Sequence, residues 1–205
     1  CMLIAGTKSS VVFEGSRVHN CTSDWSCGGI CVREGASLLM RSCGINSCSA
    51  EAFGGGFYLY QAERVIFERV SVINCTLGGA HGASGGGGGY MRDCTDVRFV
   101  SVELKDNAAG ETGGALRVYN CSQLLMINCL IVGNRVTESN SCGGGIWLCN
   151  SDGPQFINCT IADNKAKDSG NLIYHRGGGC QIDFINTILW NTDHTDAAPT
   201  DIFAD

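Results

Sequence analysis

Paired glycines recur along this chain just ahead of apolar or aromatic stretches, and that recurrence limits the fold more than any other feature. The pairs are Gly28-Gly29, Gly55-Gly56, Gly88-Gly89, Gly113-Gly114, Gly144-Gly145 and Gly178-Gly179, with second members 27, 33, 25, 31 and 34 residues apart. A period in this range marks a repeat architecture, in which each unit buries its apolar face only against its neighbours. A second marker runs out of phase with the first. An apolar residue, usually Phe, is followed seven or eight positions later by Asn, giving Asn20, Asn46, Asn74, Asn107, Asn134, Asn164 and Asn191. Going from the second Gly to the next Asn takes 17, 18, 18, 20 and 19 residues in five repeats and 12 in the last. From Asn to the next Gly takes 9, 10, 15, 7, 11 and 15. One segment is nearly fixed and the other accepts insertions, as a framework and a loop face would.

Inside the fixed segment the pattern has period two. Phe99 is followed by Val102 and Leu104, Met126 by Cys129 and Ile131, and Phe156 by Cys159 and Ile161. Alternation of this kind is the strand signature, and no stretch carries a helical stripe between caps. A unit of about 28 residues has room for three short strands, too few for a propeller blade of four strands in roughly 40–50 residues. The expectation is an all-β parallel β-helix, a solenoid of about seven coils that forms one domain over residues 1–205. Stacked at roughly 4.8 Å, like residues lie above one another. The seven asparagines then form a hydrogen-bonded ladder, and Gly29, Gly56, Gly89, Gly114, Gly145 and Gly179 mark tight corners that need φ > 0 or close backbone approach.

Gly113-Gly114-Ala115-Leu116, with Gly144-Gly145-Ile146 and Gly55-Gly56-Phe57, resembles the GGA[ILV] repeat of the polymorphic outer membrane protein family. Phe156-Ile157-Asn158-Cys159-Thr160-Ile161 and Asn186-Thr187-Ile188-Leu189-Trp190-Asn191 are similar to coils of right-handed parallel β-helix repeat surface proteins. The resemblance covers the whole chain. It implies a right-handed helix and a secreted or surface-exposed passenger, often an adhesin. The strict FxxN companion motif of the polymorphic proteins is absent, the nearest being F-I-N at 156–158 and 184–186.

Composition narrows the function further. A net charge of −6 lacks the basic footprint that nucleic acid requires, and no apolar run is long enough to span a membrane as a helix. The chain opens on Cys1-Met2-Leu3-Ile4, an apolar strand, which suggests a segment of a longer protein. Fourteen cysteines point to an oxidising compartment and disulfides, with buried thiols as the main alternative. Their spacing makes no repeated zinc knuckle, so no metal or cofactor is expected. Repeat position suggests the pairs Cys129-Cys159, Cys121-Cys149 and Cys21-Cys48. Four sequons occur, at Asn20, Asn74, Asn120 and Asn158, as candidate glycosylation sites. Asn120 is the best acceptor because it lies in a turn, whereas Asn20 and Asn74 belong to the expected ladder.

Parallel β-helices include pectate lyases and polygalacturonases, whose chemistry uses clustered aspartates on one outer face. Asp106 and Asp163 share a position two coils apart, about 10 Å on the strand spacing, with Gly133 between them. Solvated corner carboxylates are the better reading. The variable loops 75–87, 135–142 and 165–177, the last with Lys165, Lys167, Tyr174, His175 and Arg176, leave from one corner and are either a binding surface or solvated insertions. Trp25 falls in such a loop; Trp147 and Trp190 fall in strands, where core or lateral packing is expected. The leading expectation is a non-catalytic structural module, secreted or on the cell surface, either an adhesin segment or a fibre subunit. Its partners would be flanking segments, copies of itself stacked head-to-tail, or glycans. The alternative is a polysaccharide-binding or polysaccharide-degrading protein.

Overall fold

The computed structural model describes residues 1–78, 85–177, 181–192 and 201–204. These residues form short parallel strands and no helix, arranged as about seven stacked coils with four faces. Face 1 has eight strands, Met2–Ala5, Ile30–Arg33, Phe57–Tyr60, Gly89–Arg92, Leu116–Tyr119, Ile146–Cys149, Ile173–Arg176 and Ile202–Ala204. Face 2 has seven, from Ser10–Glu14 to Asp183–Ile185, and face 3 has seven, from Arg17–His19 to Ile188–Trp190. Face 4, which the three-strand expectation missed, has five two-residue strands from Thr22–Ser23 to Arg135–Val136.

Alternation along each strand sends every second side chain inward, so columns of like residues fill the interior. On face 2, Phe13, Met40, Phe67, Phe99, Met126, Phe156 and Phe184 stand in one column. Phe67 and Phe99 stack with centroids 5.0 Å apart and ring planes 5° from parallel. On face 3 the column is Val18, Ile45, Val72, Leu104, Ile131, Ile161 and Leu189. Each full burial of such a side chain contributes about 1.5–3 kcal/mol, which no single coil can obtain alone.

Three corners per coil turn on a residue with left-handed backbone. Between faces 3 and 4 these are Asn20, Ser47, Asn74, Asp106, Gly133 and Asp163, with φ from 50° to 69°. Between faces 2 and 3 the run includes Ser42, Arg69, Ser101, Asn128, Asn158 and Asn186, and between faces 1 and 2 it includes Gln61, Asp93, Asn120 and Asn150. Asn, Asp and Gly bear this conformation at least cost.

Those corners correct the ladder. Pairing of Ser49 with Thr22 and Thr76, and of Ala108 with Thr76 and Arg135, puts Cys21, Cys48, Cys75, Asn107, Asn134 and Asn164 in one column. Asn107 Nδ2 donates to Asn134 Oδ1 at 3.0 Å, and Asn134 Nδ2 donates to Asn164 Oδ1 at 2.9 Å. Asn191 is buried beside this column, its Nδ2 3.4 Å from the Asn164 carbonyl oxygen. The first three coils carry thiols there instead. Asn20 and Asn74 are exposed left-handed corner residues one position earlier, and Asn46 lies in the strand Gly44–Asn46.

The glycine corners shift in the same way. Gly28, Gly55, Gly87, Gly114 and Gly144 form one column, and Gly29, Gly56, Gly88, Ala115 and Gly145 form the next. Close approach, not positive φ, requires the first column: a Cβ on Gly114 would lie 2.1 Å from the Gly144 carbonyl oxygen. Gly89 belongs to a strand, where its missing side chain leaves room for the ring of Phe57. Gly179 lies outside the described residues.

Candidate functional site

The outer side of face 1 carries the most distinctive chemistry on the molecule. Two outward columns run side by side along the helix axis. One holds Leu3, Cys31, Tyr58, Tyr90, Arg117, Trp147, Tyr174 and Phe203. The other holds Ala5, Arg33, Tyr60, Arg92, Tyr119, Cys149 and Arg176. Stacking at strand spacing places rings and guanidinium groups against one another. Arg117 lies 4.5 Å from the ring centre of Trp147 and 5.2 Å from that of Tyr90. Arg92 sits 5.7 Å from Tyr60 and 5.8 Å from Tyr119, and Arg33 is 5.7 Å from Tyr60. Phe53 stacks on Tyr58 at 4.7 Å and Tyr174 on Phe203 at 5.1 Å.

In the first column Cys31, Tyr58, Tyr90 and Trp147 are buried, with Tyr58 and Tyr90 each 4% exposed, whereas Arg117, Tyr174 and Phe203 are half-buried and Leu3 is exposed. Burial pushes the Tyr58 and Tyr90 hydroxyls above their ordinary range. Burial draws Arg117 down, yet a guanidinium keeps its charge in proteins. The Nε atoms of Arg33 and Arg117 are buried with no hydrogen-bond partner. In the second column Arg92 and Arg176 are exposed, and Tyr60 and Tyr119 are half-buried. Asp93 pairs with Arg92 at 3.2 Å from the adjoining corner. The described strands of face 1 carry four arginines and no carboxylate. Such a surface offers rigid apolar plates and charged donors to an extended partner.

The loops expected to emerge from one corner do so, but much of their chain is framework. Thr76–Leu77 and Arg135–Val136 are face 4 strands, and Ile173–Arg176 is a face 1 strand. Residues 79–84 lie outside the described set. Within that last strand Tyr174 and Arg176 point outward, whereas His175 points into the interior, 7% exposed, with Nε2 unpartnered. Trp25 is exposed in the same corner, Trp147 packs laterally as expected, and Trp190 is 56% exposed. The face 1 residues are legible as the second and fourth positions of each strand after a glycine pair.

The two aspartates weighed as catalytic carboxylates serve the corners. Asp163 Oδ1 accepts hydrogen bonds from Thr192 N and Oγ1, both at 2.9 Å. The Asp106 carboxylate lies over Gly133, where a Cβ would meet its Oδ1 at 2.5 Å.

The cysteines also serve corners. Among the described residues the cysteines other than Cys149 are free thiols. Cys129 and Cys159 stack in one column, as do Cys21 and Cys48, but the expected disulfides are not formed. Cys121 and Cys149 do not share a column, because Cys149 pairs with Tyr119 and Cys121 sits one turn onward. The thiols follow left-handed residues and donate to the carbonyl two residues back: Cys43 to Arg41 (3.1 Å), Cys94 to Arg92 (3.3 Å), Cys121 to Tyr119 (3.3 Å) and Cys129 to Ile127 (3.3 Å). Ser151 and Thr187 make the same bond with hydroxyls. Hydrogen bonds with the neighbouring thiols, and then burial, push Cys75, Cys121 and Cys129 far above the ordinary thiol range. All four sequon asparagines are exposed left-handed corner residues ahead of such a thiol. The Asn-Cys-Ser/Thr triplet is thus a corner residue, a buried thiol and the residue that opens the next strand. Asn120 differs in that its Nδ2 donates to Asp93 Oδ1 at 2.5 Å.

Residues 1–161 match the model of the right handed beta helix region. No curated protein and no solved structure matches the chain. The match spans more than half of the sequence and agrees with the parallel four-faced stack, so this chain belongs to the right-handed β-helix family.

Proposed function

We propose that this β-helix is a non-catalytic structural and binding module of a secreted or cell-surface protein, adhesin-like in use, which meets its partner through face 1. The observation that carries this reading is the aromatic and arginine pair of columns, which continues from coil to coil. Asp106 and Asp163 lie at the corner between faces 3 and 4, away from face 1, and Asp163 is engaged there by Thr192, which supports a non-catalytic reading of face 1. Exposed sequon asparagines at four corners are compatible with a glycosylated extracellular protein. The thiol corners, by contrast, require no oxidising compartment.

A second reading, polysaccharide degradation of the pectate-lyase type, is favoured by the charge of face 1, which suits an acidic sugar polymer. Incubation with acidic polysaccharides, with and without calcium, separates the two. Retention of the polymer on immobilised protein, lost on combined Arg92→Ala and Arg176→Ala substitution, with no unsaturated or reducing ends released, supports the binding module. Release of such ends overturns it. Fractionation of producing cells with an antibody to the chain tests the location, and recovery only from the cytosol would contradict it.

A further inference from the structure

We propose that Cys1 and Cys27 are a redox-active pair, whose oxidation ties the first face 1 strand to the coil above it. The interior thiols are committed to corner carbonyls, as with Cys43, Cys94 and Cys129. Cys1 and Cys27 lie outside that scheme. Their Sγ atoms are 3.1 Å apart, and among the described residues neither thiol donates to a backbone carbonyl.

The backbone on both sides is fixed. Met2 N donates to the Gly29 carbonyl at 2.9 Å, which holds the strand Met2–Ala5 in register on Ile30–Arg33. Cys27 forms a parallel bridge with Gly54 of the next coil, and Gly28 N donates to the Gly54 carbonyl at 3.1 Å. The two sulfurs therefore meet by construction of two adjacent coils rather than through a mobile loop.

Access is asymmetric. Cys1 is exposed, and Cys27 is fully buried. A small disulfide oxidant such as oxidised glutathione reaches only the first. The Cys1 thiolate attacks the glutathione disulfide, forms a mixed disulfide and releases one glutathione thiolate. Cys27, once deprotonated, then attacks the Cys1 sulfur and expels the second glutathione. Two protein thiols are oxidised to one disulfide while one glutathione disulfide is reduced to two thiols. The competing partner of Cys27 is Cys31, whose thiol is also hydrogen-bonded to it. Cys31 is buried on the same strand side and offers the oxidant no entry.

The bridge would close residues 1 to 27, the whole first coil, into a covalent ring. A ring of that size restricts the opened states of the coil and so raises the free energy of local opening. The test treats the chain with oxidised glutathione, alkylates the remaining thiols, digests without reduction and maps the links by tandem mass spectrometry. The expected product joins Cys1 to Cys27, with Cys43, Cys94 and Cys129 alkylated only after unfolding. Amide exchange in Met2–Ala5 slows by about tenfold or more on oxidation. A Cys1→Ser variant, altered at an exposed position, keeps the unoxidised exchange rate with or without oxidant. A Cys27–Cys31 link, glutathione left on Cys1, or both thiols still free would overturn the proposal.

Discussion

Replacing Asn134 by alanine should destabilise the stack far more than any change at Asn74, although the two occupy the same place in the sequence pattern. Asn134 is fully buried. Its Oδ1 accepts from Asn107 N and Asn107 Nδ2, both at 3.0 Å, and its Nδ2 donates to the Leu104 carbonyl at 2.9 Å and to Asn164 Oδ1 at 2.9 Å. Alanine leaves the Asn107 backbone N–H without its acceptor and removes a donor from the Leu104 carbonyl, while Asn164 Oδ1 keeps the Asn134 backbone N–H and Asn107 Nδ2 keeps the Val72 carbonyl. At about 1–3 kcal/mol for each unsatisfied buried group, and allowing some rearrangement, the loss is about 3–5 kcal/mol. Asn74 is exposed at φ 55°, and its backbone N–H bond to the Lys105 carbonyl survives substitution. Asn74→Gly should therefore shift stability by no more than about 0.5 kcal/mol, and Asn74→Ala should cost about 1 kcal/mol for holding a Cβ in the left-handed region. Equilibrium urea unfolding followed by circular dichroism measures all three. Equal losses for Asn134→Ala and Asn74→Gly would refute the column assignment.

Four further outcomes follow from the corners and the surface. Gly114→Ala places a Cβ 2.1 Å from the Gly144 carbonyl oxygen and should cost more than about 3 kcal/mol in the same unfolding assay. Gly153→Ala, with open space but φ 51°, should cost about 1 kcal/mol. Cys129→Ser should fold with a loss below about 1.5 kcal/mol, because Ser151 and Thr187 already make the equivalent bond, and the protein should keep its melting behaviour in reductant. A hydrogen bond from Arg41 at 2.9 Å, aided by Arg69, holds the Glu68 carboxyl below the usual carboxylate range. Whatever the pair contributes is present above the ordinary carboxylate pKa and fades as pH falls through the lowered one. NMR titration should show the Glu68 midpoint rising toward the ordinary value in Arg41→Ala.

Much of the architecture was legible because the glycine and asparagine markers repeat with the coil. What misled was phase. Asn20 and Asn74 lie one residue from the ladder because the left-handed corner before it also favours asparagine, so two different physical demands wrote the same letter. The ladder position itself accepts either Cys or Asn, since a thiol and an amide both reach the carbonyl two residues back: Cys48 to Asn46 at 3.4 Å, Asn134 to Val132 at 3.1 Å. This substitution also explains the abundance of cysteine, which sequence statistics assign to disulfides. Face 4 escaped notice because its two-residue strands, such as Ser49–Ala50, are too short to show alternation. Face 1 was concealed for a different reason: a tyrosine such as Tyr58 reads as core from its apolar ring, yet it packs on the outside of the sheet beneath Phe53.

Hydrogen exchange of the asparagine side-chain amides, resolved by NMR, reports the stacking register most directly. Slow exchange is predicted for the Nδ2 protons of Asn107, Asn134 and Asn164, with rapid exchange at Asn20, Asn74 and Asn158. Protection of Asn74 together with free exchange at Asn107 would contradict the stack as described.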